Sequence, residues 1–466
     1  MVLIASKAEE SAGLGPYWRG LGVWIILLAG YIAIIVGLHT ETAMRSTAPP
    51  WYSWLRIPLT RTPLQCVFLV FPPVVFAGWV AVLRRMFRGP VRLLPIIGLG
   101  FGAVLLMNVT VAMMDGTVDA IWKPFSGPSE FFGDVPAVHG VRAFLRGYVE
   151  NLYQYSLHTR THPPGAVMML YFVGQSLGPG IRIAAWTCVV TTATGVAPFF
   201  LLARRLVGNR TACLGTALYA LAPSLVLFGA TSMDGVFLVP LLWSMYFLQR
   251  GIADGGIRFS IAAGIALTAS LMFSYVTVCV GAMMLIYAAL EWRENPKLLG
   301  GIIGLFAICA TVVGGSLLTL HVATGFDYLA CFERSRFYDH YAMQTFSMSL
   351  GRYLDISFSN LIAFLTGLGF PIIVLWMRET ARSMSERTAV GRFNLAAVIS
   401  VLIFSFAHLF THETERVWLF FVPPALIAAA HWIARQTKLE KRLLDWAMGL
   451  LLVQTMLFQW LLFTIW

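Results

Sequence analysis

The sequence predicts an all-α polytopic membrane protein, and three observations predict it. Apolar runs of about 17 to 24 residues recur along the whole chain, each long enough to cross roughly 30 Å of hydrocarbon as a helix. Hydrophobic residues make up 58% of the 466 positions and charged residues only 12%, more apolar surface than a soluble core can bury. The runs are continuous and not alternating, which excludes a membrane β-barrel.

In chain order the runs place spans near residues 20–38, 63–83, 93–113, 181–203, 211–229, 233–249, 258–274, 275–292, 299–320, 358–377, 393–410, 417–434 and 443–464, thirteen in all. The polar stretch Met1 to Arg19 lacks a cleavage pattern, so the first run reads as a retained signal anchor. With the N-terminus in the cytoplasm, the clusters Arg84/Arg85/Arg88/Arg92, Arg204/Arg205/Arg210, Arg378/Arg382/Arg387/Arg392 and Arg435/Lys438/Lys441/Arg442 all fall inside, as the positive-inside rule requires. The stretch Gly165 to Leu177 is too short to span and would invert Arg204 and Arg205 if it did. It reads as an interfacial or re-entrant outer helix, opened by Pro163 and Pro164.

This parity makes 1–466 a single integral membrane domain with two longer outer segments, 114–180 and 321–357. The net charge of +11 is scattered between apolar runs and does not form one basic face, so membrane orientation explains it and nucleic acid is not expected as a partner. Cys66, Cys188, Cys213, Cys279 and Cys309 lie in or beside spans and Cys331 reads as a loop residue, which gives neither a disulfide framework nor a metal spacing. No cofactor is expected, and a divalent metal stays open.

Chemistry belongs to the outer loops. The first holds Asp115, Asp119, Glu130, Asp134, Glu150, His139, His158 and His162 among Arg142, Arg146 and Arg160, a set that could equally be a solvated loop. The string His158-Thr-Arg160-Thr-His162-Pro-Pro-Gly165 weighs against that, because two imidazoles and a guanidinium before an interfacial helix stand where a lipid phosphate would lie. Asp234-Gly235 joins two spans and reads either as a plain turn or as a carboxylate at the mouth of the bundle. In Thr411-His412-Glu413-Thr414-Glu415-Arg416 the acids suit a helix start, but Arg416 has no dipole reason to be there and invites an anionic partner. The second loop offers Glu333, Arg334, Arg336, Tyr338, Asp339, His340 and Tyr341 as a contact surface.

The order Asp134…His162-Pro-Pro-Gly165…Leu202-Ala-Arg-Arg205…Pro223-Ser224…Asp234-Gly235 resembles the GT-C membrane glycosyltransferases, which include protein O-mannosyltransferases, lipid A aminoarabinose transferases and bacterial polyprenyl-phosphate-sugar enzymes. The likeness covers roughly residues 95–295. Here two extra spans precede the acidic loop, and Asp134 is followed by Val135 where the family often has a second acid, so Asp115 and Asp119 stand as alternatives to Asp134.

The resemblance implies a multi-pass protein of a bacterial cytoplasmic membrane with its site on the outer face. It would move a sugar from a polyprenyl-phosphate donor to a hydroxyl of a glycan, lipid or protein acceptor, with inversion. Asp134 would be the base, and Arg160, His162 and Arg416 would hold the donor phosphate. Asp234, His158, His412, Glu415 and Arg336 would position substrate, and Trp122, Tyr148 or Tyr338 could stack on sugar faces. A secondary transporter or flippase of a lipid-linked or anionic substrate is the rival, although transporters commonly set ionisable groups at mid-bilayer on broken helices.

Overall fold

The structure, a computed structural model, describes residues 13–38, 62–89, 92–342, 350–408 and 413–462. Helices carry almost all of it, and no strand forms among the described residues. Seven of these helices are long and apolar enough to cross a membrane, or eight if one bent pair is counted as a span. The chain is therefore an all-helical multi-pass membrane protein, and the described helices leave the count of thirteen spans unconfirmed. The runs 181–203 and 211–229 fall partly in the stretch Ile181–Tyr219, and Ile257–Phe273 and Leu419–Arg435 are short apolar helices. The turn expected at Arg204 to Arg210 is present as a backbone break, since Gly208 has φ +81°.

Contacts divide the chain into two compact units, one of residues 1–115, 199–227 and 349–464, the other of 116–198, 228–348 and 465–466. The first unit has its core in Val422–Arg435, whose residues are nearly all buried against Phe370–Ser383 and Ala389–Ala407. Small residues allow this: Ala428, Ala429 and Ala430 are fully buried, and a side chain at Gly215 would meet Phe199 and Ala430. Glu379 is also buried here, with His431 Nδ1 at 2.7 Å from its Oε1, which supplies the partner that an intramembrane histidine needs.

The expected span 358–377 is broken. Its two helices, Ile356–Leu368 and Phe370–Ser383, meet at 107° around Gly369, whose φ of +105° disfavours other residues. A break inside a bilayer strands backbone groups, and one side chain satisfies two of them: Gln454 Oε1 accepts from Phe370 N at 2.9 Å while its Nε2 donates to Thr366 O at 2.9 Å.

The second unit is built around Asp234–Asp254, Ile257–Phe273 and Leu299–Thr324. A Cβ on Gly251 would lie 2.5 Å from Leu305, and one on Gly264 2.6 Å from Val312, so glycine sets how closely these helices approach. The segment 321–357 is more helical than a loop. Cys331, expected in a loop, is fully buried in Tyr328–Ala342, where its Sγ accepts from Tyr275 Oη at 3.3 Å.

Candidate functional site

Residues 116–180 of the second unit form a chain of short helices held by buried aromatics. Phe131–Ala137 carries Asp134, Leu157–Arg160 carries His158 and Arg160, and Gly165–Leu177 begins two residues after Pro163. Tyr148 fastens them. It is fully buried, and its hydroxyl lies 2.9 Å from Thr159 O and 3.1 Å from His162 O, tying down two carbonyls where the chain turns. Burial pushes its phenol well above the usual value, so it stays a neutral donor. That placement removes Tyr148 as a sugar-stacking platform.

Ser156 is the hub of this segment. As N-cap of Leu157–Arg160 it donates its backbone N–H to Asp134 Oδ2 at 3.0 Å, while its carbonyl accepts from Arg160 Nε at 3.5 Å. Asp134 and Arg160 are thereby brought to one residue, although 26 positions separate them. Asp134 Oδ1 accepts no hydrogen bond among the described residues. The Asp134 charge also reaches Tyr155, whose phenol is raised first by burial and then by that carboxylate.

The two histidines are oriented differently. His158 Nδ1 lies 3.1 Å from Oε1 of the buried Glu130, a partner 28 positions earlier. His162 Nδ1 lies 2.8 Å from His158 O, and a carbonyl can only accept, so the neutral His162 ring carries its proton on Nδ1. Phe131 packs against both rings, with centroids 5.7 Å from His158 and 5.4 Å from His162, and Phe237 flanks His162 at 5.9 Å. The sequence gives no sign of Glu130, Ser156 or Phe131 as organisers, because their partners lie far along the chain.

Gly165 explains why the His-Pro-Pro-Gly string ends in glycine. A Cβ there would sit 2.2 Å from Met272 O, a backbone atom that cannot swing away, so Gly165–Leu177 can lie on the end of Ile257–Phe273 only without a side chain at this position. Gly165→Ala is expected to lower stability by about 1–3 kcal/mol, read as a lower thermal midpoint of the purified protein. An unchanged midpoint would contradict this contact.

Asp234 caps its surroundings as well as opening a helix. Ser232 Oγ donates to Asp234 Oδ2 at 2.9 Å, and the carboxylate stands in the first turn of Asp234–Asp254, where the helix dipole favours it. Gly235 is not a turn glycine; its missing Cβ leaves room for Thr192, which would lie 2.6 Å away. Asp119 accepts from Trp122 Nε1 at 3.0 Å, and the Trp122 ring in turn lies under Arg182. Arg336 is exposed on Tyr328–Ala342.

The first unit holds a separate set. Thr414–Val417 is anchored by Thr414 Oγ1 donating to Asn360 O at 2.7 Å, and Arg416 pairs with Glu413. Glu413 sits at φ +48°, a left-handed conformation that residues other than glycine seldom adopt. Glu415 and Arg416 are both 7% exposed. Apart from the residue's own backbone amide, neither Glu415 oxygen meets a hydrogen-bond partner among the described residues, and burial pushes its carboxyl up to about 8, with Glu413 adding and Arg416 opposing. Ser224 and Gly367 are its neighbours: a Cβ on Gly367 would lie 2.3 Å from Ser224 Oγ and 2.9 Å from Glu415 Cβ. Ser224 Oγ is likewise buried without a partner among the described residues. Asp115 belongs to this unit, where Gln459 Nε2 donates to its Oδ2 at 2.5 Å and Gln65 Nε2 to its carbonyl at 2.9 Å. His412 lies outside the described residues.

No curated protein matches the sequence. Among solved structures, ArnT from Cupriavidus metallidurans in the apo state is 16% identical, with a TM-score of 0.44 over 63% of this chain and 55% of that one. The oligosaccharyltransferase of Archaeoglobus fulgidus, solved with Zn and sulfate, is 11% identical, with a TM-score of 0.41 over 78% of this chain and 53% of that one. The chain thus covers little more than half the length of either. Residues 161–314 match the family model described as dolichyl-phosphate-mannose-protein mannosyltransferase, a stretch that opens at Thr161-His162-Pro163-Pro164-Gly165 and includes Asp234-Gly235. The resemblance drawn from motif order is borne out over that stretch, and the chain is similar there to the GT-C membrane glycosyltransferases.

Proposed function

We propose that this protein transfers a sugar from a polyprenyl-phosphate donor to an acceptor hydroxyl, with inversion, on the outer face of a bacterial cytoplasmic membrane. The observation that carries the reading is that Asp134 and Arg160 converge on Ser156, with His162 beside them, at the edge of the stretch that matches a mannosyltransferase family. A glycan, lipid or protein would supply the hydroxyl.

The chemistry needs two things from the protein, a base and cations. The acceptor oxygen forms a bond to the anomeric carbon as the bond from that carbon to the phosphate oxygen breaks, and the bonding pair leaves with the phosphate. The acceptor proton goes to a carboxylate, and Asp134 is suited because Ser156 holds one oxygen and leaves the other to accept. The departing phosphate gains charge and needs cations, a role assigned to Arg160 and His162; Arg416, described in its own unit, is a further candidate. A phosphate is already a good leaving group, so no general acid is required.

The test is reconstitution in vesicles with a panel of polyprenyl-phosphate sugars and a soluble glycoside acceptor. The expected result is a new glycosidic bond of inverted anomeric configuration. Movement of the lipid-linked sugar across the bilayer with no product would instead establish a flippase.

A further inference from the structure

The first unit carries a cavity lined by none of the candidate site residues. It measures 280 Å³ and is formed where the last turn of Phe71–Met86, the turn after the Gly208 break and the start of Glu440–Leu461 meet. Its floor is apolar, made by Val80, Leu83, Leu444 and Met448. Its rim is charged and unbalanced, with Arg84, Arg88, Arg210 and Lys441 against only Glu440 and Asp445.

The two acids are already engaged. Arg210 Nη2 lies 2.8 Å from Glu440 Oε1, and Arg84 Nη2 lies 3.3 Å from Asp445 Oδ2. Arg88 and Lys441 have no ion-pair partner among the described residues, so the rim keeps two uncompensated cations over an apolar floor. Long side chains on such a rim hold their charge outward at the head-group level.

What lies beside the cavity says which anion fits. The helices Pro63–Phe68 and Phe71–Met86 are mostly unburied, and Val67, Val70, Phe71 and Val74 are exposed along them. The cavity is therefore the basic end of a lipid-bathed helix. A soluble anion would satisfy the rim but leave the floor and the flanking apolar face unused, whereas an amphiphile satisfies all three. The same end carries the basic clusters that the positive-inside rule assigns to the cytoplasm, whose leaflet is rich in anionic lipid.

We infer that this cavity binds the headgroup phosphate of an anionic phospholipid, with the phosphate on Arg88 and Lys441 and the acyl chains along the exposed face of Phe71–Met86. The site is independent of the proposed transfer reaction.

Native mass spectrometry of the full chain, released from micelles holding equal phosphatidylglycerol and phosphatidylcholine, tests it. The wild type is expected to retain phosphatidylglycerol preferentially, and the double variant Arg88→Gln/Lys441→Gln to bind it roughly 30-fold more weakly, at ~1 kcal/mol per cation. Arg85→Gln, on the same helix end but outside the cavity, is expected to bind as the wild type does. No preference in the wild type overturns the inference without recourse to any variant. Equal retention by the double variant overturns it too, and full displacement by millimolar inorganic phosphate would assign the cavity to a free anion.

Discussion

Asp134→Asn is expected to lower sugar transfer by about 10²–10⁴-fold, the usual worth of a positioned general base. The substitution is a clean probe because of how the residue is held. An asparagine can turn its amide oxygen to the Ser156 N–H, preserving the 3.0 Å contact that fixes the loop, and place its NH₂ where Oδ1 stood. The acceptor proton then has no base to go to, although sterics and local structure stay the same. Stability is expected to change by less than about 0.5 kcal/mol, so a loss of activity would not reflect unfolding. The alternatives are separated by the same assay. Asp119 is engaged by the Trp122 indole and Asp115 by the Gln459 amide, and their asparagine variants are expected to retain transfer within about tenfold. Wild-type rates from Asp134→Asn, with collapse in Asp119→Asn or Asp115→Asn, would move the base to that residue.

Which parts of this molecule can be read in the sequence follows the range of the interactions involved. Helices such as Leu93–Ala112 and Leu299–Thr324 are legible because apolar length alone specifies them, and the break at Gly208 is legible because Arg204, Arg205 and Arg210 cannot enter hydrocarbon. The 107° bend at Gly369 is not, since glycine is common within spans and the residue that makes the bend tolerable, Gln454, lies 85 positions further on. The fully buried Cys331 could have been found: it lies four residues before the buried Ser335 on one helical face, with Tyr275 donating to its sulfur. The site divides in the same way. His158 and His162 are one helical turn apart and their hydrogen bond is local. The pairs Asp134–Ser156 and Glu130–His158 depend on chain reversals that no periodicity announces.

The Glu415 cluster is the extreme case, because Ser224, Gly367 and Glu415 come from three distant segments, and it supports the second large effect. A carboxyl that ionises near 4.5 in the unfolded chain and near 8 in the folded one holds its proton more tightly when folded. Its contribution to stability is complete below pH 4.5 and declines as pH rises, because the unfolded chain releases a proton that the folded chain keeps. The decline ends once the pH passes the folded value near 8, by which point up to about 5 kcal/mol has been lost. Glu415→Gln removes the titration and keeps the shape. The charged groups near Glu415, Glu413 and Arg416, are on its own turn, while the segments packed on it bring uncharged Ser224, Gly367 and Asn360. The difference between variant and wild type therefore isolates this one carboxyl, since every other titrating group is common to both. Glu415→Gln is expected to gain on the wild type steadily from pH 5 to pH 8, measured as the gap between their thermal midpoints at each pH. A gap that does not change with pH would show that Glu415 is ionised in the folded protein.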